Sequence, residues 1–228
     1  MTDSAISRAG PEDAQLRRLT TPRSAGLAGV VFAVLFGVSM VLVRTSMPAD
    51  PLVHPGWVDG APTRLKIALT LMPFAGIAFL WFVGVVRDRL GEAEDRFFSS
   101  VYFGSGLLFL AMVFVSMALA GAIVATTDWG IDQANRQEVV AFGRAVMLQV
   151  TNVYALRMAA VFMISLGTTW KRSGAAPRWL VLTTYVVALC LLFVTSLSLY
   201  VALVFPAWVL LVSLYILASV RRSGHQAP

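Results

Sequence analysis

The chain has 228 residues, of which 58% are hydrophobic and 13% charged, with a mean hydropathy of +0.76 and a net charge of +6. Soluble domains are about 45–50% apolar and about 25% charged, so this apolar excess cannot enter a soluble core and the chain reads as an all-α integral membrane protein. The composition excludes a nucleic-acid-binding domain, a largely disordered chain and a disulfide scaffold. The lone cysteine, Cys190, lies in an apolar run and reads as a small buried hydrophobe.

Residues 1–23 are mostly polar and hold Pro11, Pro22 and several charges, which predicts a mobile cytoplasmic tail. The apolar run that follows is too long for the core of a cleaved signal peptide. A helix needs about 20 apolar residues to cross a bilayer. The runs predict a bundle of six transmembrane helices over residues 24–43, 66–86, 99–125, 141–167, 179–197 and 201–220, then a short tail at 221–228. The last two come from one uncharged stretch, Trp179 to Val220, about twice the length of a crossing, with a turn near Ser196–Tyr200. Pro73 and Pro206 then fall inside helices, which membrane bundles tolerate when neighbours satisfy the freed backbone groups.

The first span carries Ala25, Gly29, Ala33 and Gly37 at a four-residue spacing. Such small side chains let a second helix approach closely, either inside the bundle or in a homo-oligomer. Ser116 with Ala120, and Gly121 with Ala125, form a second set in the third span. The connector 44–64 holds four prolines, Trp57 at the expected headgroup level, and His54 with Asp50 and Asp59. Those three are metal-ligand types without a recognised ligand spacing, so no metal site is predicted. The connector 87–96 is charged in both signs, and Glu92 with Arg96 stands at ion-pair spacing.

The fourth span is the most polar, with Arg144, Gln149, Thr151, Asn152, Tyr154 and Arg157. On an ideal helix Arg144, Thr151, Tyr154 and Arg157 drift across about 140° of one side, with Gln149 and Asn152 opposite. Such a helix belongs among other helices or along a wet cavity. Arg157 is about 15 Å from the predicted inner end, near mid-membrane, in a chain with no carboxylate inside a span. Its partners are then carbonyl oxygens, Tyr154, polar groups of other helices, or an anionic lipid or small anion.

Other chemistry is missing. No histidine lies in a span, which excludes a transmembrane bis-histidine haem. No lysine sits mid-span to hold a Schiff base, and a carboxylate proton relay has no carboxylate. Residues Phe103-Gly104-Ser105-Gly106 are similar to the G-x-S-G of intramembrane serine proteases, but no span histidine is at hand as base. No cofactor is expected, and an enzyme is the most distant reading.

The blocks Arg87-Asp88-Arg89-Leu90-Gly91, Glu94-Asp95-Arg96-Phe97-Phe98 and Gly104-Ser105-Gly106-Leu107-Leu108-Phe109 resemble a group of uncharacterised actinobacterial integral membrane proteins. The resemblance covers about a quarter of the chain and implies no activity or ligand. It agrees with the arginine bias, 16 of the 18 basic residues. Two functions are expected from these features. The first is a small transport or ligand-binding bundle with an anion-attracting cavity on the fourth span. The second is a structural or accessory subunit whose polar residues brace helix packing.

Of the 18 Lys and Arg, twelve fall on one side of the six-span arrangement and four on the other, with Arg144 and Arg157 in the fourth span. The rich side faces the cytoplasm, here that of a bacterial inner membrane, so both termini are predicted there. A cysteine placed at Ser223 on a Cys190→Ala background should label only after the membrane is permeabilised; labelling of intact cells would invert the topology.

Overall fold

The computed structural model describes residues 11–47, 62–90, 96–126, 133–193 and 199–224, and these are helical apart from short turns. Helix α1 spans Pro11–Ser46, α2 Pro62–Leu90 and α3 Arg96–Ala125. Helix α4 is one continuous rod built from an α segment Gln133–Gln149, a π turn Val150–Ala155 and an α segment Leu156–Ser173. Helix α5 spans Arg178–Phe193, and a 3₁₀ turn Leu199–Leu203 leads into α6, Val204–Gly224. Five of the six, all but α5, are long and apolar enough to cross a membrane. At 16 residues α5 reaches only about 24 Å, short of the roughly 30 Å hydrocarbon core.

The helices overlap the expected spans, and their bounds differ most in α1 and α4. Helix α1 begins at Pro11 and not at residue 24, since proline suits a first helical turn, where its missing N–H has no partner to lose. Helix α4 runs well beyond residues 141–167 at both ends, from Gln133 to Ser173, where Gly174 in the left-handed region ends it. Pro73 sits inside α2 as expected. Pro206 is the third residue of α6, in the first turn, where the lost donor costs least. The connectors with His54, Asp50, Asp59, Trp57 and Glu92, and the turn residues Ser196 to Ser198, lie outside the described residues.

Hydroxyls in these apolar helices are satisfied locally. Ser39, Ser46, Thr70, Ser105, Thr169, Thr183 and Thr184 each donate to the carbonyl one turn earlier, at 2.6–3.0 Å.

Successive helices run antiparallel. Tyr102 of α3 donates to the Val83 carbonyl of α2 at 3.0 Å, and Thr168 of α4 meets Tyr185 of α5 at 2.9 Å. Trp208 of α6 donates to Thr184 of α5 at 3.0 Å. Helix α6 closes the ring on α1: Gly26 faces Leu217 near one end, and Arg44 lies over the Tyr200 ring at 5.1 Å near the other. The described ends of α1 and α6 therefore share one end of the bundle.

Aromatic rings fill the centre. Phe79 of α2 packs on Phe32 at 4.9 Å, Phe109 at 5.5 Å, Phe162 at 5.6 Å and Phe205 at 5.8 Å, so one ring touches α1, α3, α4 and α6. Tyr102 stacks on Phe162 at 4.7 Å, and Phe109 on Phe205 at 4.5 Å. All six residues are almost fully buried. Aromatic pairs at these separations add about 0.5–1.5 kcal/mol each beyond area burial. The axis of the bundle is thus a solid core.

Cys190 is exposed, contrary to the sequence expectation. It shares the outward face of α5 with the exposed Leu182, Val186, Leu189 and Phe193, the stripe that turns from α4 and α6.

The small-residue stripe of α1 splits. Gly29 is buried against the Ser213 hydroxyl of α6 and the Phe82 ring of α2, whose Cδ2 is 2.8 Å from where a Cβ would stand. Ala33 is also buried, whereas the Ala25 side chain lies outside the described set. A Cβ at Gly37 would meet nothing within 4 Å. Four residues advance a helix by about 400°, so the stripe drifts about 40° per step and Gly37 has turned out of the contact. Gly29→Leu should therefore lower stability by about 1–3 kcal/mol, the usual cost of overpacking, while Gly37→Leu leaves it nearly unchanged. Thermal unfolding in detergent checks the contrast.

Candidate functional site

The polar residues of α4 surround the π turn. Within it the hydrogen bonds reach back five residues, as from the Leu156 amide to the Thr151 carbonyl. One extra residue in a turn rotates everything after it by about 100° relative to an unbroken α-helix. The face expected from sequence to carry Arg144, Thr151, Tyr154 and Arg157 is therefore broken up. Thr151 and Asn152 point inward and are 2% and 1% exposed. Tyr154 is 59% exposed and points away from the bundle. Gln149 is exposed as well, and Arg144 and Arg157 are half-buried.

The inward pair meets α3. Thr151 Oγ1 and Ser116 Oγ are 2.6 Å apart, and Ser116 also donates to the Met147 carbonyl at 3.2 Å. One serine thus ties α3 to both a side chain and the backbone of α4, beside the turn where the helical ladder changes step. Ser116 and Thr151 are both buried, so each hydroxyl depends on the other. Asn152 lies next along the same face and makes contacts of its own.

Arg157 finds its partner in its own helix. Its Nη1 donates to the Val153 carbonyl at 2.8 Å. Where a π turn hands back to an α ladder, one carbonyl is passed over by the amides, so acceptor capacity is plentiful there. The side chain leans toward the N-terminus of α4, as helical side chains do. Lys171 lies fourteen positions further on, about 21 Å along the axis. The guanidinium therefore leans from the middle of α4 toward the end of the bundle that holds Arg44. Arg144 has contacts of its own nearer that same end.

Three cavities are defined by described residues. One of about 330 Å³ opens beside Pro73 between α2 and α3, lined by Leu69, Met72, Phe114 and Met117. One of about 350 Å³ lies between α2, α5 and α6 and is lined by Val86, Trp170, Leu180, Val212 and Tyr215. The largest, about 750 Å³, is a groove along the α4–α5 turn with Lys171, Arg178, Val181, Leu182 and Tyr185 on its walls. None of the six polar residues of α4 lines these three. Among the described residues no group of three or more His, Cys, Asp or Glu could hold a metal ion.

Lys171, Arg178 and the aromatic centre are not among the site residues expected from sequence. The signal for the centre was present: Phe32 and Phe36, Phe79 and Phe82, and Tyr102 and Phe109 recur at three-, four- or seven-residue spacing within their spans.

The chain matches no protein-family model, no curated protein and no solved structure.

The Ser116–Thr151 contact generates a prediction. Ser116→Ala or Thr151→Val alone should destabilise by about 0.5–1.5 kcal/mol, and the double variant by less than the sum of the two. A double-mutant cycle on unfolding in detergent measures the coupling.

Proposed function

We propose that the protein is a non-catalytic structural or accessory membrane subunit, in which the polar residues of α4 brace helix packing. One observation carries this reading: the buried hydroxyl contact between Ser116 and Thr151 at the π turn uses inward polar groups that a ligand would need. Arg157 spends a donor on a carbonyl of its own helix, and Tyr154 and Gln149 face outward. The aromatic centre fills the space where a pathway would run. The transport or anion-binding reading is supported only by the half-buried guanidinium.

In this proposal all six helices cross a bacterial inner membrane and both termini are cytoplasmic. The antiparallel closure of α6 on α1 supports it, because it brings residues 26 and 217 to one end. Arg157 stands near the middle of the apolar span of α4, and its guanidinium is met there by the Val153 carbonyl of its own helix. A homo-oligomer through the α1 stripe loses support, because α6 and α2 cover Gly26 and Gly29.

Anion flux into liposomes separates the two functions. Wild type, Arg157→Lys and Arg157→Met should all give the flux of empty vesicles, with Arg157→Met slightly less stable. Flux in wild type that Arg157→Met abolishes at equal folded fraction would replace this proposal with the transport reading.

A further inference from the structure

We infer that the groove along the α4–α5 turn is a binding site for one anionic phospholipid, with Lys171 and Arg178 holding its phosphate. This inference is independent of whether α4 braces or transports. The groove forms because Gly174 ends α4 in the left-handed region, at φ 69°. A residue with a side chain is strained there, so glycine allows the chain to reverse within four residues. Pro177 then starts α5, and its carbonyl accepts the amides of Leu180 at 3.0 Å and Val181 at 3.2 Å. The reversal sets Lys171, at the end of one helix, and Arg178, at the start of the next, on the walls of a single groove of about 750 Å³. Both side chains are exposed.

The groove is amphipathic along its length. Its cations stand at the turn, and its walls continue over Val181 and Leu182 toward Tyr185. Leu182 is 65% exposed, an apolar wall with no protein cover. Tyr185 is fixed by its contact with Thr168 at 2.9 Å, which in turn donates to Ile164 at 2.8 Å, so this end is rigid. Trp179, 53% exposed beside the turn, adds an interfacial aromatic anchor. A phosphate between the two cations and an acyl chain along the apolar wall match this order of chemistry. A soluble anion would leave the apolar wall unused.

Along α5 and the end of α4, which form the groove, the charge is one-sided. From residue 139 to residue 228 the chain has seven Lys and Arg and no Asp or Glu. Helices α5 and α6, and α4 beyond Glu138, therefore offer Lys171 and Arg178 no carboxylate. The neighbouring Arg172 is occupied over the Phe98 ring, at 4.6 Å. Arg178 can fork onto two phosphate oxygens, and Lys171 adds a compact point charge.

Native mass spectrometry of the full chain, titrated with phosphatidylglycerol in a neutral detergent, tests the site. Wild type should hold one lipid tightly and discriminate against phosphatidylcholine. Lys171→Gln with Arg178→Gln should weaken it by about tenfold or more, while Arg221→Gln with Arg222→Gln, which removes two basic residues outside the groove, should not. Leu182→Glu keeps both cations, places a carboxylate on the apolar wall, and should weaken binding similarly. Equal weakening by the groove and tail variants would mean diffuse surface charge and overturn the site. Retention of the lipid by the groove variants would overturn it too. Displacement by millimolar inorganic phosphate would identify a free-anion site and overturn the lipid assignment.

Discussion

Phe79 touches aromatic side chains from four other elements of the chain, and the bundle is arranged around that ring. In lipid, water gives no net drive for apolar helices to associate, so cohesion has to come from contact itself. Flat, polarisable rings supply more contact per residue than branched aliphatics, and they interlock at tilted and edge-on angles. Phe32, Phe109, Phe162 and Phe205 converge on Phe79 from α1, α3, α4 and α6. Trp208, beside Phe205, extends the cluster to α5 through its hydrogen bond to Thr184.

A solid centre needs thin walls where helices cross. Gly29 lets α1 lie against both Ser213 and Phe82. Gly106 brings α3 to 3.0 Å from Phe162 on the same measure, and Gly167 brings α4 to 3.2 Å from Thr184. Gly29 and Gly106 face rings of the central cluster or its neighbour Phe82, and Gly167 faces the methyl of Thr184, the residue that holds Trp208. Close approach and aromatic filling are therefore one device: removing side chains at the crossings admits rings at the axis.

The π turn of α4 has its consequence at the periphery of that device. Between Phe162, which faces the aromatic centre, and Thr151, which faces Ser116 about three turns earlier, Tyr154 points outward. Beside the turn the Arg157 guanidinium is met by the Val153 carbonyl of its own helix. Three other cations sit near helix ends, over rings: Arg44 on Tyr200, Arg87 on Phe103 and Arg172 on Phe98.

Composition and run length determined the class and the placement of the long apolar helices, because each of those signals is local and a helix in lipid must satisfy its backbone within itself. The two-helix reading of Trp179 to Val220 was legible for the same reason: α5 ends at Phe193 and the next element begins at Leu199. The close approach at Gly29 was visible as a stripe. That Gly37 falls outside the contact was not, since the drift of the stripe matters only once the partner's position is known. The side on which Tyr154 and Arg157 emerge was decided by the π turn, which appears as no residue type in the sequence. The groove of Lys171 and Arg178 needed the reversal at Gly174, which joins two helix ends into one wall. Run length is a property of the chain alone, whereas the facing of a side chain depends on what every other helix leaves for it to fill.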